Sequence, residues 1–263
     1  MSKEWNADVY HRVSAPQVSW GKKVLARISL RGDETVLDAG CGTGRLTHDL
    51  LEALPRGRVV ALDVSQNMID AARAYLAPDF GDRVEFIACD LLHMPFDAQF
   101  DGIFSTASFH WVRDHEALFR GLYCALRPGG WLCAQCGGAG NLDHFLTRVQ
   151  ALMMTPAFSP FFRDFESPWE FSNTTAAAGR LKHAGFEGIE TSLEEAPTQF
   201  STPEELQQFV RNVILHRHLE RLPTAELRES FLGTLTSQAA EDDPPLLLDY
   251  WRLNLQARKP VTT

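Results

Sequence analysis

Asp38, Gly40, Gly42 and Gly44 fall together in the run VLDAGCGTG at 36–44, where an apolar stretch turns sharply into a helical pattern. Glycines there permit positive φ and let the backbone approach a ligand closely. A pyrophosphate on such a bend wants backbone amides and no carboxylate nearby, whereas Asp38 sits two residues before the first glycine. An acidic strand end suits a ligand carrying an ammonium or sulfonium group. Asp63 follows 23 positions after Gly40, where a carboxylate can accept two ribose hydroxyls. Asp90 stands in Cys89-Asp90-Leu91, placed to accept a hydrogen bond from an adenine amino group while Leu91 packs on the ring. Arg45 occupies the position of the third glycine in the dinucleotide fingerprint and obstructs the close helix–strand packing that glycine allows. It therefore argues against the rival reading, an NAD(P)-dependent oxidoreductase.

The elements that must hold these residues follow from periodicity. Short apolar or β-branched runs at 35–39, 58–62, 84–88, 102–106 and 131–136 read as strands. Between them Leu46, Leu50, Leu51 and Leu54 form a helical stripe, as do Ile69, Ala72 and Leu76 after a Ser65 cap, and Leu118, Leu122 and Leu126 after an Asp114 cap. Pro128, Gly129 and Gly130 are expected to end that last helix. Alternation of this kind predicts a doubly wound α/β sheet, mostly parallel and covered on both faces. Beyond it, 140–168 is rich in Phe, Met and Pro with weak periodicity. The segment 173–183 reads as a helix stopped by Gly185, and 189–200 as one long strand or two short ones. Thr202, Pro203 and Glu205 form a capped helix start, Thr224 begins another helix, and 250–258 alternates as a final strand. The expected division is a cofactor-binding core of 30–140, 175–200 and 248–260, with 1–29, 141–174 and 201–247 as a helical cap that covers the substrate.

Composition narrows the class. The chain has 263 residues, 44% hydrophobic and 22% charged, which excludes collagen, coiled-coil rods and wholesale disorder. Its net charge of −9 gives no general attraction to nucleic acid or an anionic membrane. No apolar run approaches a membrane span, and Met1–Trp5 has no signal core. Five cysteines with one lone CxxC, Cys133 and Cys136, read as buried thiols of a reduced cytoplasmic protein, with no metal site expected.

Taken together, VLDAGCGTG, ALDVS with NMIDAAR, CDLLHMPF, DGIFSTASFHWV and LRPGGWL resemble class I S-adenosylmethionine-dependent methyltransferases over about residues 30–136. The Trp5–Tyr10 opening and SFHWVRDHEAL are similar to the trans-aconitate methyltransferase branch, which methylates carboxylates of small acids. The resemblance implies a Rossmann-like, seven-stranded sheet with an antiparallel last strand, and S-adenosylmethionine as cofactor. It implies that Asp38 and the loop Gly40, Cys41, Gly42 and Gly44 hold the methionine moiety, and that Asp63 takes the ribose. Val64 and Met68 would line the adenosine, and Asp90 with Leu91 would define the adenine end. Ser105 would face the methionine part and the substrate entrance, and Tyr10 and Gln17 would fold over the cofactor as a lid.

Methyl transfer from a sulfonium is an in-line displacement that needs alignment and desolvation. A carboxylate acceptor is already ionised at neutral pH and needs no base; an alcohol or phenol would, and histidine is the economical choice. His110 and Trp111, after the fourth strand, are the catalytic candidates, with His144, His216 and His218 further along. The bland readings are that His110 only shapes a pocket and Trp111 packs a core. Likewise His216, Arg217 and His218 would form a solvated helix face, and Phe158, Phe161, Phe162 and Phe165 a satellite core. The expected function is methylation of a small molecule on a carboxylate or hydroxyl oxygen by a monomer or homodimer without nucleic-acid or membrane partners. A non-catalytic cofactor-binding module is the other alternative. A nucleic-acid methyltransferase is disfavoured because STASFHWV stands where an NPPY-type loop would.

Overall fold

The computed structural model describes Glu4, Ala7 and residues 15–261. Its strands are β1 Thr35–Ala39, β2 Arg58–Asp63, β3 Val84–Ala88, β4 Phe100–Thr106, β5 Leu126–Gly137, β6 Glu187–Glu195, β7 Thr198–Gln199, β8 Leu247–Leu248 and β9 Trp251–Arg258. The helices are α1 Ala15–Leu25, α2 Arg45–Ala53, α3 Gln66–Phe80, α4 His115–Ala125, α5 Asp143–Met153, α6 Thr174–His183, α7 Pro203–Phe209, α8 His216–Leu219 and α9 Ala225–Ala240. Seven strands form one sheet in the order β3-β2-β1-β4-β5-β9-β6, with β9 antiparallel to both neighbours. β7 and β8 make a separate short ribbon. Chain order reverses between β1 and β4, and in sheets of this kind a ligand crevice opens beyond the strand ends at that point.

Both faces of the sheet's centre are covered, which is why β1, β2 and β4 are buried along most of their length. Alternation along β1 sends Val36 and Asp38 one way and Leu37 and Ala39 the other. On the first side Val24, Leu50 and Ile69 of α1, α2 and α3 pack with Val36, Val59 and Phe104. On the second, Leu118 and Leu122 of α4 and Leu181 of α6 pack with Leu37, Leu62 and Ile103. A third cluster belongs to the cap: Phe145, Phe209, Phe231 and Leu235 meet Trp20 of α1 and Tyr250 beside β9. Helix α1 thus contributes to a sheet core through Val24 and to the cap core through Trp20. Among the described residues no helix is long and apolar enough to cross a membrane.

Where a helix start is locally encoded, sequence and structure agree. Ser65 accepts from Met68 N at 3.3 Å, Asp114 from Ala117 N at 2.9 Å and Thr224 from Leu227 N at 3.2 Å. Thr202 accepts from Glu205 N, and the Glu205 carboxylate reaches back to Ser201 N at 3.1 Å. One expectation needs correction, and two stretches left open gain their assignment. Pro128–Gly130 does not separate helix from strand: β5 begins at Leu126, and pairing with β4 jumps from Phe100↔Leu126 to Gly102↔Trp131, so the intervening residues bulge out of the ladder. The weakly periodic 140–168 contains α5, whose start has no local side-chain cap; its His144 N donates instead to Asp249 Oδ2 at 2.9 Å, a partner far away in sequence. Of the two alternatives for 189–200, the structure has two strands, β6 and β7.

Gly102 meets the Trp131 indole so closely that an added Cβ would lie 2.0 Å from it. Gly102→Ala is expected to destabilise the fold by about 1–3 kcal/mol through overpacking, read as a lower denaturant midpoint at unchanged slope.

Candidate active site

The ends of β1, β2 and β4 and the segment after β3 form the floor of a cavity of about 720 Å³, with α1 and the cap as its walls. The glycine bend makes the first part of this floor. Gly40 and Cys41 amides donate to Leu62 O at 2.8 and 2.9 Å, which ties the end of β1 to β2. Gly40 has φ +91°, and a Cβ there would lie 2.0 Å from Ser108 Oγ. Gly42, at φ +54°, borders the cavity with no atom within 4 Å of a notional Cβ, so its backbone is exposed to whatever the cavity holds.

Acidic groups line the same end. Asp38 is 2% exposed and accepts from Thr47 Oγ1 of α2 at 2.6 Å. Burial, opposed by that hydrogen bond and reinforced by the Asp63 charge, pushes its pKa up to about 7. Asp63 accepts from Gly42 N and Ser65 N, each at 3.0 Å. Desolvation raises its pKa while backbone amides hold it down. Each oxygen retains further acceptor capacity. Asp90 caps the turn Leu91–His93 by accepting from Leu92 N at 3.0 Å, and it borders the cavity with the apolar Leu91, Met68 and Val64.

Gln17, Asp38, Gly40, Cys41, Gly42, Asp63, Val64, Met68, Asp90, Leu91 and Trp111 all line the cavity. The others stand elsewhere. Gly44 is the left-handed N-cap of α2, set against Leu76, and is not on the wall. Ser105 is 1% exposed and donates to Ala39 O at 2.6 Å; it braces β4 to β1, and Ser108 takes the rim position. Tyr10 lies outside the described residues. His110 does not reach this cavity either. Its Nδ1 accepts from Gly137 N at 3.2 Å, and burial, with Arg252 and His115 nearby, drives its pKa well below 6.5. A neutral imidazole with Nδ1 so engaged is no general base for a ligand in the main cavity. It lines a smaller chamber of about 40 Å³ behind Trp111.

The cap supplies the opposite wall: Asp164, Phe165, Glu166, His216, Arg217, Glu220 and Arg221, joined by Arg113 from the loop after β4. His216, Arg217 and His218 are therefore not a solvated face. His218 is 3% exposed and packs against Phe165 and Trp169, while His216 sits against Trp111. Burial lowers their pKa values to about 4 for His216 and about 3 for His218. Phe158 and Phe162 do belong to a satellite core, and Phe165 also lines the cavity. Two of the arginines at this rim face acids, Arg113 pairing with Glu166 and Arg217 with Glu220 at 3.3 Å, while Arg221 donates to Phe161 O at 3.3 Å. No local signal pointed to Arg113, Asp164 or Arg221, because cap periodicity reports the cap core and not the side turned to the sheet.

A doubly wound sheet with carboxylates at three strand ends under a helical cap defines an enzyme for a nucleoside-bearing, positively charged ligand. The family described as methyltransferase domain matches residues 36–130. An uncharacterized methyltransferase of Schizosaccharomyces pombe is 28% identical over 97% of this chain and 98% of its own. Trans-aconitate 2-methyltransferase of Shigella flexneri is 33% identical over 61% of this chain and 60% of its own. Among solved structures, Haemonchus contortus phosphoethanolamine N-methyltransferase 2 in complex with S-adenosyl-L-methionine superposes with a TM-score of 0.63 at 19% identity, covering 97% of this chain and 56% of that one. The [4+2]-cyclase SpnF gives 0.61 at 22%, covering 93% and 82%. Residues 36–130 thus match a methyltransferase domain, and the chain is similar over nearly its whole length to a methyltransferase. The oxidoreductase alternative is not favoured.

An acid whose folded pKa lies above its unfolded value destabilises the fold as pH rises through that interval. For Asp38 the interval runs from 3.8 to about 7. Without ligand, Asp38→Asn is expected to be more stable than the parent by about 3–5 kcal/mol at pH 8, the difference closing towards pH 4. Urea unfolding at several pH values reads this directly.

Proposed function

We propose that the chain transfers a methyl group to a small molecule at an oxygen, and that the favoured acceptor is a carboxylate. The observation that carries the cofactor half is the buried Asp38 carboxylate on the cavity floor, held near a pKa of 7 by burial and hydrogen-bonded by the neutral Thr47 hydroxyl. A ligand ammonium beside it offsets that desolvation. In this reading Asp38 and the Gly40–Gly42 backbone hold the methionine part, Asp63 the ribose hydroxyls, and Asp90 with Leu91 and Met68 the adenine. Gln17 of α1 closes over them. S-adenosylmethionine, when bound, supplies an electrophilic methyl group on its sulfonium.

What the chain's residues then do is bind, align and exclude water. The acceptor half rests on the absence of a histidine matched to neutral pH among the described cavity residues, the Asp38 carboxylate being assigned to the cofactor. His110 has its Nδ1 engaged, and His216, at a pKa of about 4, is far from the neutral range a base for an alcohol needs. A carboxylate needs no deprotonation. The likeness to trans-aconitate 2-methyltransferase supports the same choice. The cap segments, which differ most in character from the sheet, would set acceptor selectivity.

Titration calorimetry with S-adenosylhomocysteine is expected to show one site per chain, and absence of heat at millimolar ligand would refute the cofactor assignment. Asp63→Ala should weaken that binding by about 1–3 kcal/mol through lost charge-assisted hydrogen bonds; unchanged affinity would remove the ribose role. With S-adenosylmethionine and trans-aconitate, formation of a base-labile methyl ester is the expected product, detected by mass spectrometry.

A further inference from the structure

The cavity is charged differently on its two sides. Asp38, Asp63 and Asp90 line the floor, suited to a cationic cofactor, and Arg113, Arg217 and Arg221 line the wall across from it. Arg45 also borders the cavity, but it begins α2 beside the glycine bend and so belongs to the cofactor's side. Two of the wall arginines are occupied by acids, Arg113 by Glu166 and Arg217 by Glu220. Arg221, just beyond α8, is placed otherwise. Its Nε donates to Phe161 O at 3.3 Å, and among the described residues no carboxylate stands within 4.0 Å of it, Asp164 of the same wall included.

That tie decides what the guanidinium can do. Phe161 is partly buried against the cap cluster, so the carbonyl holding Nε belongs to packed structure and restricts where the head group sits. With Nε engaged, the two Nη groups keep their N–H donors in a planar fork. This is the geometry that takes a carboxylate through two parallel hydrogen bonds. A carboxylate gripped in that way has both oxygens engaged and is a poorer nucleophile towards a sulfonium methyl group. The group held on Arg221 is therefore not the one methylated.

We infer that Arg221 is a specificity residue of the acceptor site, its Nη fork binding a second carboxylate of the substrate while the first receives the methyl group nearer the floor. The inference rests on the methyltransferase reading of the cavity and adds the residue that reads the acceptor's unreacting end.

The test uses the full chain loaded with S-adenosylhomocysteine and titrates succinate, trans-aconitate and butyrate by calorimetry. Succinate and butyrate have the same chain length and differ in the second carboxylate. The parent is expected to bind succinate and trans-aconitate more tightly than butyrate. Arg221→Gln should weaken both polyacids about three- to tenfold, the range for a charge-assisted pair at a solvated wall, and leave butyrate within about twofold. Arg163→Gln removes the same charge from an exposed position of the same cap, off the cavity lining, and should leave all three acids within about twofold. S-adenosylhomocysteine affinity, unchanged because the groups assigned to it lie on the floor, certifies that each variant is folded. Polyacid affinity equal to the parent in Arg221→Gln would overturn the proposal. So would an equal loss in Arg163→Gln, which marks a diffuse field, or a butyrate loss as large as that of succinate, which puts the reacting carboxylate on Arg221. Absence of heat with both polyacids in the parent would overturn it too. Failure of the parent to bind S-adenosylhomocysteine would instead overturn the cavity reading, so the two failures are distinguishable.

Discussion

A carboxylate placed in the interior beside a second carboxylate is the constraint on which this molecule turns. Asp38 lies on the side of β1 that faces α2, beneath the bend, and its Thr47 hydrogen bond only partly offsets the water it has lost. Moving it out would require turning β1 over, and the strand's alternation forbids that, because Val36 would leave its core with it. The fold therefore holds a carboxylate whose charged form burial disfavours. Stability and ligand affinity are set against each other at this one residue, a pattern expected where a site needs charge in a dry place.

The bend and the neighbouring strand share that constraint. Asp63 is bonded to Gly42 N and Ser65 N, so the same carboxylate that faces the cavity also fixes the shape of the loop and the entry of α3. Gly40 is pressed against Ser108 and joined to Leu62 O. Floor, loop and helix start thus behave as one cooperative unit, in which altering one ligand-facing group disturbs the backbone that presents the others. Fold alone would not specify the chemistry, since a cyclase shares it.

Much of the floor was legible in sequence because its signals are local. A strand run, a glycine bend and a carboxylate at the strand's end lie within a few residues of one another at 36–44, and Ser65 and Asp114 cap helices three residues away. What escaped was non-local. Helix α5 takes its cap from Asp249, more than a hundred positions later in the chain. Ser105 looked like a site residue by position, yet pleating turns it into the sheet towards Ala39 O. His110 and Trp111 are adjacent in sequence and line different spaces, Trp111 both and His110 only the inner one. Arg113 of the loop after β4 and Arg221 of the cap reach the cavity through tertiary packing that no window of sequence reports.

Helix α1 has a standing that its length conceals. Within two turns it sends Gln17 and Val18 to the cavity, Trp20 to the cap cluster and Val24 to the cluster under the sheet. Two hydrophobic clusters that would otherwise be separable are thereby stitched by a single short segment. Fraying that segment would uncouple them and open the cavity at the same moment, so the amides of α1 should exchange through this local opening rather than through the global unfolding of the sheet.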